Sequence, residues 1–325
     1  MVALGYALLG EEHGAPDLVR HAMQAEVSGF SFAIASDHYH PWTDAQGHSP
    51  FVWSTLGAIA QATASLVIGT GVTCPTMRIH PAIVAQAAAT MATLAPERFF
   101  FGVGSGEYLN EHILGDPWPP AETRLEMLRE AIEVIRELWR GEEYSHDGAF
   151  FTVHRARLYS VPSAPPALLV AAGGPAAAAV AAEEGDGIIA TSPDAELLDA
   201  WSARGGDGPR VGMFHTAYAE TLEEGRALIA RYWSHAALPS HMHVDLATPA
   251  QFEGAAKYIR PEDYDERTPQ GPDPVPVIET IQRFVEAGFD HVLVHQIGPD
   301  QPTFLDWFKR EIAPNVEVSP PTLTV

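Results

Sequence analysis

The chain has 325 residues, 46% of them hydrophobic and 19% charged, which is apolar material enough for a sizeable core and too much for a disordered polypeptide. Its 42 acidic against 19 basic residues give a net charge of −23, which repels nucleic-acid phosphates and anionic lipid heads and argues against a nucleic-acid or membrane-surface role. A single cysteine, Cys74, excludes an internal disulfide framework or a cysteine-based metal site, and with no basic leader and no membrane-length apolar run the protein is expected to be soluble and cytoplasmic.

In chain order, ALGYALL reads as a strand, Pro16 to Gly29 as a helix, FSFAIASD as a strand, the stretch from Val52 as a helix and LVIGTGVT as a strand. PAIVAQAAATMATLA follows as a buried helix and FFFGVGSGE as a strand. Leu125, Leu128, Ile132, Ile135 and Leu138 then recur at three and four, the stripe of an amphipathic helix. After Gly141 a small β excursion surrounds Asp147-Gly148, and the strand ALLVAAGG leads into the small-residue helix PAAAAVAAEEG. DGIIATS, RVGMFHTAYA and HVLVHQIG supply the last strands, with helices near Asp194 to Arg204, Leu222 to His235 and Val275 to Gly288.

Eight near-continuous apolar strands alternating with helices, each strand buried on both faces, predict an α/β fold, a closed (β/α)8 TIM barrel, rather than a doubly wound sheet. One domain over 1–325 is expected, with insertions at about 142–165 and 237–273. The second is too long for an ordinary connection and is expected over one barrel mouth.

Chemistry in such barrels gathers at the carboxyl ends of the strands. FSFAIAS runs into Asp37-His38-Tyr39-His40-Pro41-Trp42, and FFFGVGSG into Glu107, Asn110 and Glu111. ALLVAA is followed by Gly173 and Gly174, and DGIIA by Thr191 and Ser192. His38, with a solution pKa near neutrality, is a candidate base for a hydroxyl proton; the alternative is a structural histidine beneath a loop. Glu107, leaving a buried strand through glycines, is a candidate acid with a raised pKa; the alternative is a helix cap or an arginine partner.

Gly102-x-Gly104-x-Gly106 lacks the dinucleotide spacing, whereas Gly173-Gly174-Pro175 ahead of a helix is an anion seat or else a tight packing turn. Despite His241, His243, His291 and His295, no HExxH or compact ligand set is evident, so no metal is expected. Trp233, Phe304, Trp307 and Phe308 read as helix packing or oligomer contacts.

These segments together resemble the luciferase-like flavin and deazaflavin oxidoreductases, most closely the branch of F420-dependent glucose-6-phosphate dehydrogenase. The carriers are SDHYHPW at 36–42 with SPF at 49–51, GTGVTCPT at 69–76, HPAIVAQAAATM at 80–91, GVGSGEYLNE at 102–111, AAGGPA at 171–176 and GDGIIATS at 185–192. The resemblance implies coenzyme F420, with FMN as the alternative. It implies that His38 accepts the substrate's hydroxyl proton, that Trp42 packs by the reacting centre and that Glu107 protonates the reduced ring. It places Asp37, Gly71, Val72, Thr76, Asn110, Ala172, Gly173, Gly174 and Thr191 around the cofactor, with a cis Gly71-Val72 peptide. Glu11 is implied as a substrate contact, and a homodimer as the assembly.

One departure bears on the substrate. The sugar-phosphate members hold phosphate with two lysines and an arginine; the lysine positions here are Asp194 and Gly254, and only Arg267 is kept, although Lys257 lies one turn from Gly254. Each lost charged hydrogen bond removes about 1.5–3 kcal/mol from a desolvated dianion site. An F420-dependent dehydrogenase of an unphosphorylated sugar or alcohol is therefore expected. The competing readings are a sugar-6-phosphate dehydrogenase, an FMN-dependent monooxygenase and a catalytically silent cofactor carrier.

Overall fold

The computed structural model describes residues 1–260, 262–265 and 268–324. β1 (Ala3–Leu8), β2 (Phe32–Ala35), β3 (Val67–Thr70) and β4 (Phe99–Val103) open the chain. A hairpin, β5 (Tyr144–Asp147) and β6 (Thr152–Ala156), precedes β7 (Leu168–Ala171), β8 (Gly187–Ala190), β9 (Arg210–Thr216) and β10 (His291–Gln296). All strands but the hairpin close into one parallel barrel, in the order β1-β10-β9-β8-β7-β4-β3-β2. This is the predicted (β/α)8 barrel, and its eight strands are the eight apolar runs of the sequence.

Strand alternation divides the core in two. Phe32, Ile34, Phe100, Leu169, Ile189, Val211 and Leu293 point into the barrel, while Tyr6, Ala33, Phe101, Val170, Phe214 and Val292 pack outward against the helices. Large interior rings sit opposite missing side chains. A Cβ on Gly5 would lie 2.4 Å from the Phe32 ring, and one on Gly69 would lie 2.5 Å from Phe100.

The helices Ala15–Val27, Val52–Ala62, Pro81–Leu94, Ala121–Trp139, Pro175–Glu184, Ala195–Ser202 and Val275–Glu286 fall where the apolar periodicity puts them. The helix expected to reach His235 ends earlier, at Tyr232. It starts from a Thr221/Glu224 capping box and stops at Trp233, which leaves helical geometry at φ −131°, before a 3₁₀ turn over Ser234–Ala237. Segment 142–165 holds the hairpin, whose turn gives the N–H groups of Ala149, Phe150 and Phe151 to the Glu130 carboxylate.

Segment 237–273 holds short helices at Ser240–Asp245, Pro249–Ala256 and Glu262–Asp265, none of which the apolar periodicity indicated. The helix Pro249–Ala256 packs over the barrel mouth: Phe252 meets Trp42 edge to face at 5.1 Å, and Glu253 accepts from the Asp44 N–H at 3.0 Å. Trp307, Phe304 and Phe308 are internal packing, joined through Tyr6, Phe30 and Tyr218. No helix among the described residues is long and apolar enough to cross a membrane.

Candidate active site

Glu11, His38 and Glu107 follow β1, β2 and β4, so barrel closure brings them to one mouth. His38 Nε2 lies 3.4 Å from Glu11 Oε1 and 3.4 Å from Glu107 Oε2. Its Nδ1 faces the His40 carbonyl at 3.3 Å; a carbonyl only accepts, so in the neutral ring Nδ1 carries the hydrogen and Nε2 keeps its lone pair. The loop behind it is pinned by the Ser49 hydroxyl, which donates to the His38 carbonyl at 2.8 Å. His38 is thus a bonded histidine whose second nitrogen remains available to the site.

Burial works against a charge on His38, but the Glu11 and Glu107 carboxyls outweigh it and hold its pKa above the ordinary histidine value. Burial pushes Glu107 up to about 7, against the lowering pull of His38 and with a further push from Glu11. Glu107 occupies the N-cap position of the helix Tyr108–Glu111 yet makes no side-chain cap hydrogen bond, so the capping alternative fails. Glu11 is 1% exposed and accepts the Ser36 hydroxyl at 2.5 Å, which orients its other oxygen toward His38.

Asn110 joins the two loops. Its Oδ1 accepts the N–H groups of Tyr39 at 2.9 Å and His40 at 3.3 Å, which turns its amide nitrogen to Glu107 Oε2 at 3.3 Å. Asp37 immediately precedes His38 and is 4% exposed. It accepts the Thr73 hydroxyl at 2.7 Å and Arg78 Nη2 at 2.9 Å, which holds its side chain in place under the loop. Arg78 is shared with Glu111, whose Oε2 accepts the Arg78 backbone N–H at 2.8 Å.

Along the rest of the rim, the Gly71-Val72 peptide is cis. Thr76 is buried with its hydroxyl 3.1 Å from the Cys74 thiol. Ala172 is buried and gives its N–H to Ile189 at 2.8 Å, whereas a Cβ on Gly173 or Gly174 would meet nothing within 4 Å. Thr191 is exposed. Asp194, also exposed, accepts from the Leu197 N–H at 3.1 Å as the cap of its helix. Gly254 lies in the helix Pro249–Ala256, and Arg267 lies outside the described residues.

Trp42 is 8% exposed and held on several sides. Its ring centroid is 5.0 Å from His38 and 4.9 Å from His235, on which it stacks at 17°. His243 and Phe252 close its edges. Beyond His235 comes Trp233 at 4.7 Å, then His215 at 4.8 Å and His295 at 4.7 Å. Trp233 therefore belongs to the mouth, a correction to its reading as helix packing or an oligomer contact: the chain leaves the helix at Trp233 and turns the indole inward. His215 and Glu12 escaped the sequence reading altogether. Period-two alternation through RVGMFHTAYA, which puts His215 on the same face as Val211, was the available signal. No group of three or more metal-ligating side chains occurs among the described residues.

Residues 4–291 match the family described as luciferase-like monooxygenase. The F420-dependent glucose-6-phosphate dehydrogenase of Beutenbergia cavernae is 37% identical over 97% of this chain and 98% of its own. The chain belongs to the luciferase-like family, on its F420-dependent oxidoreductase branch. The enzyme of the same description from Intrasporangium calvum is 34% identical over 97% and 99% of the two chains. Among solved structures, an F420-dependent secondary alcohol dehydrogenase in complex with an F420-acetone adduct superposes with TM-score 0.90 at 28% identity, over 97% and 99% of the chains. In this luciferase-like barrel His38, Glu107 and the glycine-lined rim all lie at the carboxyl ends of the strands.

Proposed function

We propose that the protein oxidises a secondary hydroxyl of an unphosphorylated sugar or alcohol, or runs the reverse reduction, with F420. The observation that carries this reading is His38 Nε2, left with its lone pair between two carboxyls 3.4 Å away, one of which has its pKa raised into the neutral range. His38 takes the hydroxyl proton at Nε2, Glu11 stabilises the imidazolium that results, and Glu107 holds a proton ready for transfer at neutral pH. Trp42 and the 237–273 segment exclude water from the reacting carbon.

The residues present fit the coenzyme. Gly173 and Gly174 leave open space ahead of the helix Pro175–Glu184, whose first-turn N–H groups have no carbonyl before them and suit an anionic tail. Val72, Gly104, Asn110 and Thr191 would line the ring and its tail, with Ala172 and Thr76 beneath them. Bound F420 supplies a hydride acceptor of low oxygen reactivity.

The preference for an uncharged substrate rests on the wall from Trp42 to Trp233, built of aromatic rings and imidazoles that burial keeps neutral. Of the two lysines, Lys309 is bonded to the Val27 carbonyl, and Lys257 is exposed beyond the helix Pro249–Ala256. The names of the relatives at 34–37% identity favour a second reading, oxidation of a sugar 6-phosphate.

Anaerobic titration with F420 and with FMN, followed by sugars, sugar phosphates and alcohols with the F420 absorbance monitored, decides among the readings. Bleaching by an unphosphorylated substrate supports the first; turnover of glucose 6-phosphate at least as efficient as that of glucose supports the second. FMN binding with oxygen consumption would overturn both. We also infer a homodimer, supported by exposed Phe51, Ile83 and Leu94 around an apolar groove of about 300 Å³, which light scattering tests.

A further inference from the structure

A second file of polar groups runs beneath the mouth, beside Glu11. Glu12 Oε2 accepts the Gly298 N–H at 2.7 Å, while Glu12 Oε1 and His295 Nε2 lie 3.2 Å apart out of hydrogen-bond alignment, both buried and neither with another hydrogen-bond partner among the described residues. His295 Nδ1 lies 3.0 Å from His215 Nδ1, the two residues being direct partners across β9 and β10. Both side chains point into the barrel, since they alternate with outward Val294 and Phe214. His295 is 1% exposed, but His215 keeps some surface, and with Nδ1 engaged its Nε2 is the nitrogen left for whatever enters the mouth.

The file has two self-consistent hydrogen-bonding patterns, because each contact needs one donor and one acceptor. A turn of the Glu12 carboxyl aligns Oε1 with His295 Nε2; with Glu12 protonated, its O–H then donates to His295 Nε2, His295 Nδ1–H donates to His215 Nδ1, and His215 presents Nε2–H. With Glu12 ionised, both imidazoles change tautomer and His215 presents a bare Nε2. Neither imidazole changes charge; only the polarity at the end of the file inverts.

We propose that His215 is a specificity-determining residue that binds a second oxygen of the substrate, and that Glu12 sets, through His295, whether His215 offers a donor or an acceptor. This rests on the alcohol-oxidation reading above. His38 and His215 stand at the two ends of one wall, linked by Trp42, His235 and Trp233 at centroid spacings of 5.0, 4.9, 4.7 and 4.8 Å. A polyol or hydroxy-ketone whose second oxygen reaches His215 while its hydroxyl is at His38 would use both imidazoles, where a simple alcohol would use one.

The neighbouring groups keep the file in its two states. Burial raises Glu12 to about 8, against the Gly298 N–H and with help from Glu11. Burial lowers His295 to about 3, and lowers His215 well below the ordinary histidine value with help from His295 and His243. Tyr6 and His13, the other titratable groups around Glu12 and His295, are driven by burial first, Tyr6 upward and His13 down to about 3, so both stay neutral where Glu12 titrates. His235, beside Trp233, is likewise held neutral by burial.

The test uses the whole protein labelled with ¹⁵N-histidine. Long-range ¹H–¹⁵N spectra are recorded below and above the Glu12 transition for the wild type and Glu12→Gln, with His215→Phe assigning the resonance. Glutamine can accept from Gly298 while donating to His295, so it locks the first pattern. His215 is expected as the Nε2–H tautomer at the lower pH in both proteins, moving to Nδ1–H at the higher pH in the wild type alone. In F420 reduction by a hydroxy-ketone, whose carbonyl oxygen can only accept, KM is expected to rise about tenfold across the same transition in the wild type and to stay flat in Glu12→Gln, as one hydrogen bond is lost. A His215 tautomer that ignores pH in the wild type, or that still switches in Glu12→Gln, overturns the proposal. So does a flat wild-type KM. Absence of alcohol turnover would instead sink the functional reading, since the tautomer spectra do not depend on activity.

Discussion

His38 has one nitrogen committed to a backbone carbonyl and one facing two carboxyls, so its protonation state is tied to theirs. On the proposed reading, alcohol oxidation needs His38 neutral and Glu107 protonated. As pH falls, His38 gains its proton at a pKa above the ordinary histidine value; as pH rises past about 7, Glu107 loses its own. kcat is therefore expected to fall on both sides of neutrality, the two limbs belonging to the coupled pair. Glu107→Gln should remove the alkaline limb and lower kcat by about 10²–10⁴, and His38→Ala should lower kcat by a similar factor, with F420 binding measured separately by fluorescence. Retention of the alkaline limb in Glu107→Gln would assign that ionisation elsewhere. Behind His38, Arg78→Met leaves Asp37 and Glu111 buried without their cation, both 4% exposed or less. A loss of about 3–5 kcal/mol in urea unfolding is expected, against less than about 1 kcal/mol if the pair were merely a surface bridge.

Among the elements, the segment over the mouth is joined to the barrel chiefly by aromatic packing. Phe252, 0% exposed, is its anchor on Trp42 and His235. Phe252→Ala should raise amide exchange across 240–256 while β1 to β4 keep their protection; equal loosening of the barrel strands would show that the segment is part of the global folding unit. Sequence pattern exposed the barrel well because every strand is an apolar run ended by glycine or polar residues, as FFFGVGSGE shows. The short helices of 237–273 lacked that signature. Thr248-Pro249 with Gln251 forms a capping box that could have been read, but a helix from Pro249 to Ala256 buries only Phe252 and Ala256 and shows no stripe. His38 and Glu107 stood out as candidates because each closely follows the end of an apolar strand. The Glu12–His295–His215 file did not, since its contacts lie 283 and 80 residues apart and depend on which strands the barrel places side by side.

For the whole molecule, the buried titratable groups set opposing limits on stability. His13 and His295 have pKa values of about 3 in the fold, below the ordinary 6.5, so the unfolded chain binds more protons between those values and stability rises with pH there. Glu12 and Glu107 have folded pKa values of about 8 and about 7, above the ordinary 4.5. Between about 4.5 and about 8 the fold holds protons that the unfolded chain has released, and stability falls as pH rises. The net charge of −23 adds repulsion on the same alkaline side. The transition temperature is therefore expected to peak in mildly acidic buffer and to decline on both sides. Glu12→Gln removes one of the two alkaline carboxyls without removing the histidines, so it should flatten the decline between about pH 5 and about pH 8 and leave the acid limb in place. Scanning calorimetry of both proteins across that range measures the difference. An alkaline slope identical in the two would mean that Glu12 is already ionised in the fold at neutral pH, and that the second hydrogen-bonding pattern, with a bare Nε2 on His215, is the resting one.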